Sequence, residues 1–303
     1  MRTVRSVGEV RLIARLKRRL RQPASVLVGI GDDAAVLAGA GRQRLLFACD
    51  MLVEGVHFRR HDLPAEWIGW KALACNISDI AAMGGQPRWA VVSLGLPPGT
   101  PLAFVDRLYA GLARCARRFG VAVVGGDTVR APQVIVDVAI LGEVRPEHLT
   151  LRSGVRVGDW LFVTGRLGGS YRSGRHARFT PRLAEARRLV QRVRVHAMMD
   201  LSDGLASDLW QLSRASRVTL QVASARIPVA RAAKTVDHAL MDGEDFELLF
   251  AVSPRQAKRL PRRLGSCAIT CIGMATGRGV GVELEETSGR IRPLIPHGFE
   301  HFS

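Results

Sequence analysis

The stretch KALACNISDIAAMGGQPRWAVVSLGLP, residues 71–97, reads as a helix that halts at a double glycine and passes straight into a strand. The helix spans about 64–83, opened by Pro64 and stopped by Gly84-Gly85, because proline suits a first turn and glycine a stop. The strand, RWAVVSLGL at 88–96, is a short apolar run. Inside the helix lies Asp79, with Asn76 three residues earlier on the same face. A carboxylate beside Ile77, Ile80 and Met83 is costly unless it is paired or bound to a metal.

Working outward, the same alternation recurs. Strands are expected at 26–30, 44–50, 121–126 and 133–144, where Val134, Val136, Val138 and Ile140 line one face with period two. A second helix is expected at 101–119, between Pro101 and Gly120. The polar segment RPEHLTLRSGVRVGD, 145–159, marks a boundary between domains of residues 1–145 and 146–303. Beyond it come a strand at 160–165, an arginine-rich helix near 181–195, and the stretch AMMDLSDGLASDLWQLSRAS at 197–216. Further strands at 218–222, 246–252, 268–273 and 280–284 surround a helix near 254–264. The fold class is α/β (α+β), in two domains.

Composition narrows the function classes. No run of about 18 apolar residues exists to span a membrane. The N-terminal stretch has no signal-peptide core; Val7, Val10, Ile13, Leu16 and Leu20 instead mark an amphipathic helix with a basic face. Five cysteines, odd in number and without a CxxC pair, suit a reducing, cytoplasmic compartment. The formal net charge of +17, nearly all arginine, attracts polyanions: nucleic acid, an anionic membrane or phosphorylated small molecules. An aromatic content of 6 % and the lack of a nucleic-acid motif argue against the first.

Against that charge stand six segments with acids at the ends of apolar runs, beside small residues. They hold Asp32-Asp33 in GIGDDAAVL, Asp50 in LLFACDML, Asp79, Asp127 in VVGGDTVR, Asp200 and Asp203 in MMDLSDGL, and Asp242, Glu244 and Asp245 in MDGEDFELLF. Oxygen donors without histidine or cysteine companions suit hard cations such as Mg²⁺ or Mn²⁺. Cations bridged to a polyphosphate would neutralise Asp32-Asp33. Glycine-rich turns at GIG, GGDT and TGRLGGS are expected to offer N–H groups to phosphate. No Walker A or protein-kinase motif is present.

Together with KALACNISDIAAMGGQPRWAVVSLGLP, LTLRSGVRVGDWLFVTG and GFEHF, these segments make the chain resemble the thiamine-monophosphate kinases. They belong to a superfamily with aminoimidazole ribonucleotide synthetase, selenophosphate synthetase and a hydrogenase-maturation protein. The resemblance implies a two-domain fold whose N-terminal sheets pair between subunits into a barrel-like homodimer core. It implies transfer of the ATP γ-phosphoryl group to thiamine monophosphate, with several Mg²⁺ ions. Carried over by position, Asp33, Asp50, Asp79, Asp127, Asp200 and Asp203 would hold the metals, all but Asp200 counted as catalytic. Gly126, Asp127, Arg152 and Ser202 would lie around ATP, and His57 and Glu244 would face the thiamine phosphate.

Three departures bear on that implication. Ala48 and Cys49 stand where the family usually has hydroxyl residues. The segment 166–197 is short and basic, and the usual GDS reads Gly168-Gly169-Ser170. Pro296 stands near the place of an aromatic residue. They leave open a kinase for another phosphorylated small molecule, or a silent nucleotide-binding paralogue.

Overall fold

The computed structural model describes residues 3–39 and 41–295. The N-terminal amphipathic segment forms α1 (Val4–Val7) and α2 (Glu9–Lys17), broken at Gly8, and neither buries a residue. Next come β1 (Val26–Val28), β2 (Ala35–Ala38), β3 (Arg44–Val53), α3 (Ala65–Ala82), β4 (Gln86–Leu96), α4 (Leu102–Phe119), β5 (Ala122–Arg130) and β6 (Ile135–Val144). The six strands form one sheet in the order β1-β2-β3-β6-β4-β5. All neighbours are antiparallel except β4 and β5, which run parallel through the crossover helix α4.

After the polar link come β7 (Trp160–Thr164), α5 (Arg175–Arg178), α6 (Leu183–Arg192), β8 (Ala197–Asp200), α7 (Leu205–Ser216) and β9 (Val218–Ala223). They are followed by α8 (Val236–Met241), β10 (Leu248–Val252), α9 (Pro254–Ala257), β11 (Arg263–Leu264), β12 (Cys267–Arg278), β13 (Gly281–Glu285) and β14 (Ile291–Pro293). The second sheet runs β14-β13-β9-β12-β7-β10-β8, with β11 paired to β12.

Several expected elements change length for local reasons. The helix expected over 254–264 closes after one turn; Pro261 disfavours helical backbone at the residue before it. The strand expected at 268–273 continues to Arg278 through register shifts beside Gly273 and Gly277. GGDT is strand, not turn, because β5 runs on to Arg130.

The decisive element is α3. Fifteen of its residues are buried, so it has almost no solvent face, the pattern of a helix inside a core. It packs on β3, β4, β6 and α4 of the first half and on α5, α6 and β8 of the second. Gly69 permits the crossing with α4, since a Cβ there would lie 1.9 Å from the Leu108 carbonyl oxygen. One apolar core therefore runs from Val138 and Ile140 through α3 to Phe162, Phe246 and Phe250; a second fills the far side of the β7–β13 sheet. In such surroundings the polar residues of α3 need partners. Lys71, Asn76 and Ser78 are fully buried.

Candidate active site

Three acids distant in sequence meet at α3. Asp33 comes from the loop between β1 and β2, Asp79 from the helix, and Asp200 from the last residue of β8; oxygens of all three lie within 4.8 Å of one another. Ser78 Oγ donates to Asp200 Oδ2 at 2.5 Å, so consecutive helix residues serve the cluster. Burial, reinforced by the neighbouring carboxylates, raises Asp79 and Asp200 above the ordinary carboxylate range. Burial and the charges of Asp137, Asp203 and Asp33 push Asp50 up to about 6.

Asp33 and Asp32 have separate fates. Arg152 donates to Asp33 Oδ1 from Nε (3.2 Å) and Nη2 (2.7 Å), while Asp33 Oδ2 is buried without a hydrogen-bond partner. Asp32 turns to the linker and accepts the Arg152 backbone N–H at 3.1 Å; burial and Asp33 push it up to about 7. Compensation of the pair thus begins with arginine. Three converging carboxylates, one with an unpartnered buried oxygen, form a donor set that fits a hard divalent cation.

Residues not singled out from sequence complete the arrangement. Gln211 on α7 accepts from Arg152 Nη1 and donates to Asp203 Oδ2 at 2.9 Å. Asp208 is fully buried with one unpartnered oxygen, raised well above the usual range by burial and then by Asp203 and Asp200. Asp137 on β6 accepts from Cys49 Sγ at 3.2 Å. Burial and that acid push the thiol up to about 11, while Ala48 faces the opposite, buried side of β3. Alternation along VIVDVAI was the available signal for Asp137, which falls on the face opposite its valines.

Asp127 stays outside this convergence. It lies on β5, all nine residues of which are exposed, and its Oδ1 accepts the Thr128 N–H at 2.8 Å. Gly126 lets the backbone approach β4, because a Cβ there would lie 1.8 Å from the Val92 carbonyl oxygen.

His57 and Glu244 do come together, through Lys71. The lysine Nζ donates to Glu244 Oε1 at 2.5 Å and to the His57 carbonyl at 3.0 Å. His57 Nδ1 accepts the Val53 N–H, which puts the proton of a neutral ring on Nε2. Ser202 lies in the loop before α7, and its carbonyl accepts the Glu244 N–H at 2.7 Å.

The glycine turn after β7 corrects an expectation. The N–H groups of Gly168 and Gly169 already donate to Asp245 Oδ2 and Asp242 Oδ2, so they are not open to phosphate. Two arginines of the basic segment likewise serve internal acids: Arg182 grips Glu247 with two hydrogen bonds, and Arg175 pairs with Asp245. Pro296 lies outside the described residues.

Residues 31–144 match the model of the AIR synthase related protein N-terminal domain, and 156–285 that of its C-terminal domain. The thiamine-monophosphate kinase of Rhodopirellula baltica is 38 % identical over 311 aligned positions, covering 97 % of each chain. The chain belongs to the thiamine-monophosphate kinase family. The Bacillus subtilis thiamine-monophosphate kinase is 33 % identical, with 98 % of this chain and 100 % of that one covered. The solved structure of AaThiL complexed with AMPPCP and TMP matches with a TM-score of 0.86 at 31 % identity over 99 % of both chains. Hydrogenase maturation protein HypE in complex with ATP (TM-score 0.74, 21 % identity, 97 % and 96 % covered) shares the fold. As a thiamine-monophosphate kinase family member the chain is an enzyme, a kinase. Among its described residues no helix is long and apolar enough to cross a membrane.

Proposed function

We propose that the chain transfers the γ-phosphoryl group of ATP to the phosphate of thiamine monophosphate, giving thiamine diphosphate, in the cytoplasm and as a homodimer. The observation that carries this reading is the meeting of Asp33, Asp79 and Asp200 beside Arg152. Its likeness to a structure holding AMPPCP and TMP supports the choice of donor and acceptor.

Transfer between phosphates needs alignment and charge neutralisation more than a base, because the acceptor oxygen is already anionic. Asp33, Asp79 and Asp200 would hold Mg²⁺, with Asp50 and Asp203 close by and Asp127 contributed from the edge strand. Bound there, Mg²⁺ would supply positive charge against the transferring phosphoryl group. Arg152, fixed by Asp33 and Gln211, adds a charge that survives any working pH. Burial alone would pull its guanidinium down, but Asp33 and the neighbouring acids hold it above its ordinary value. His57 and Glu244 face the acceptor, and Gly126 and Ser202 the nucleotide. Residues 1–145 would carry most metal ligands and the dimer contact, and 146–303 would close the site.

The dimer reading rests on the outer face of the first sheet. Phe47, Met51, Trp89 and Val91 are exposed there, a patch suited to burial against a second copy.

The test is a phosphoryl-transfer assay with Mg-ATP and thiamine monophosphate, run beside Asp79→Asn. Product from the native chain and almost none from the variant is expected. Equal rates would remove the site assignment, and no product from either would transfer the reading to another acceptor.

A further inference from the structure

Among the described residues Lys71 is one of the largest fully buried side chains, and it is a cation. An ammonium out of water is tolerated where its charge and hydrogens are matched. Glu244 Oε1 matches the charge at 2.5 Å and the His57 carbonyl takes a second hydrogen at 3.0 Å. These partners come from opposite halves of the chain, so one side chain of α3 ties both to the same point.

Glu244 needs that tie. Its backbone sits at φ 59°, and Phe246 two residues on at φ 50°, a region side-chain-bearing residues seldom occupy. Two bonds hold it there: its N–H donates to the Ser202 carbonyl and its carbonyl accepts from Ser170 Oγ, each at 2.7 Å. The Glu244 side chain is 31 % exposed, with one carboxylate oxygen turned inward to Lys71. Without the ammonium it would lose its bonded counter-charge, and on the reading above it would be an uncompensated anion facing an anionic acceptor.

We propose that Lys71 is the positioning residue of the acceptor site. It takes Oε1 of Glu244, leaves Oε2 directed at the acceptor, and locks the His57 backbone beside it. This rests on the reading of Glu244 and His57 as acceptor contacts. Lys71 does not touch the reacting phosphates and is not a catalytic residue.

The assay follows both substrates' KM in Lys71→Met, Lys71→Arg, Glu244→Gln and Lys71→Met/Glu244→Gln, with melting temperatures alongside. In Lys71→Met the acceptor KM should rise about tenfold or more while the ATP KM moves less than about twofold. The double variant should fall well short of the product of the two single losses, since both changes break the Lys71–Glu244 contact and Lys71→Met adds only the loss of the His57 carbonyl bond. Equal rises in both KM values, or losses that multiply in the double variant, would overturn the proposal. Glu244→Gln with a native acceptor KM would instead remove the reading of Glu244, and the proposal with it. If Lys71→Met does not fold, Lys71→Arg decides. Its wider head group should raise the acceptor KM several-fold at full charge, and a native acceptor KM would overturn the assignment.

Discussion

The acid cluster at α3 and the edge strand β5 are built in opposite ways. Around Asp33, Asp79 and Asp200 every support lies in one chain: Ser78 on Asp200, Arg152 on Asp33, Gln211 between Arg152 and Asp203. Along β5 all nine residues are exposed, and among the described residues the one acid expected there, Asp127, accepts the N–H of the next residue. The cluster is finished by folding. The strand carries Val124 at 63 % and Val129 at 54 % exposure, beside a sheet whose outer face shows Phe47 and Trp89. Most of the proposed machinery is thus preformed, and on the homodimer reading proposed above only Gly126 and Asp127 would await a second copy.

The sharpest way to break this contrast is Asp79→Asn. Activity should fall at least about a hundredfold, because charge placement is the chief contribution in phosphoryl transfer. The metal-free variant should nevertheless melt higher than the native chain, since one of three crowded, buried carboxylates is gone. A variant that is both inactive and less stable would mean the cluster is a structural network. Next in size is Asp127→Asn, expected to cost about tenfold with the loss seen mainly in the ATP KM. A loss as great as for Asp79 would place both acids in one preformed centre.

Replacing Phe47 and Met51 by glutamate probes the outer face directly. Sedimentation should give a monomer whose melting temperature is nearly native and whose activity is down several-fold. A native-like dimer would detach β5 from any role for a second copy. The smallest expected effect is on stability against pH. Asp50 and Asp32 are raised from the ordinary 3.8 to about 6 and about 7, so the folded chain binds more protons than the unfolded one across that window. Their stabilisation is complete below about pH 4 and lost as pH climbs through 6–7. Without Mg²⁺, melting should drop by about 5 °C between pH 5 and pH 8, and added Mg²⁺ should restore it at pH 8 but hardly at pH 5. A melting temperature that rises with pH would contradict the acid-cluster electrostatics.

Much of this was legible in the residues themselves. Pro64, the double glycine and the apolar run after it delimited α3 and β4, and acids ending apolar runs marked Asp33, Asp50, Asp79 and Asp200. What pattern does not carry is who meets whom. Helical pattern alone gives Lys71 no partner, because Glu244 lies in the far half of the chain. Nothing in the spacing of α7 marks Asp208 and Gln211, whose roles depend on Arg152 from the linker. GGDT and TGRLGGS read as turns open to phosphate, yet one is an edge strand and the other has given Gly168 and Gly169 to Asp245 and Asp242.

Lys71 and Asp79 stand eight positions apart on one helix, a rise of about 12 Å. The gap between the proposed donor and acceptor halves of the site is therefore measured off by a rod. A single residue inserted between them would turn one about 100° against the other and slide it by about 1.5 Å. Such a lesion should abolish alignment while leaving each half able to seize its own ligand.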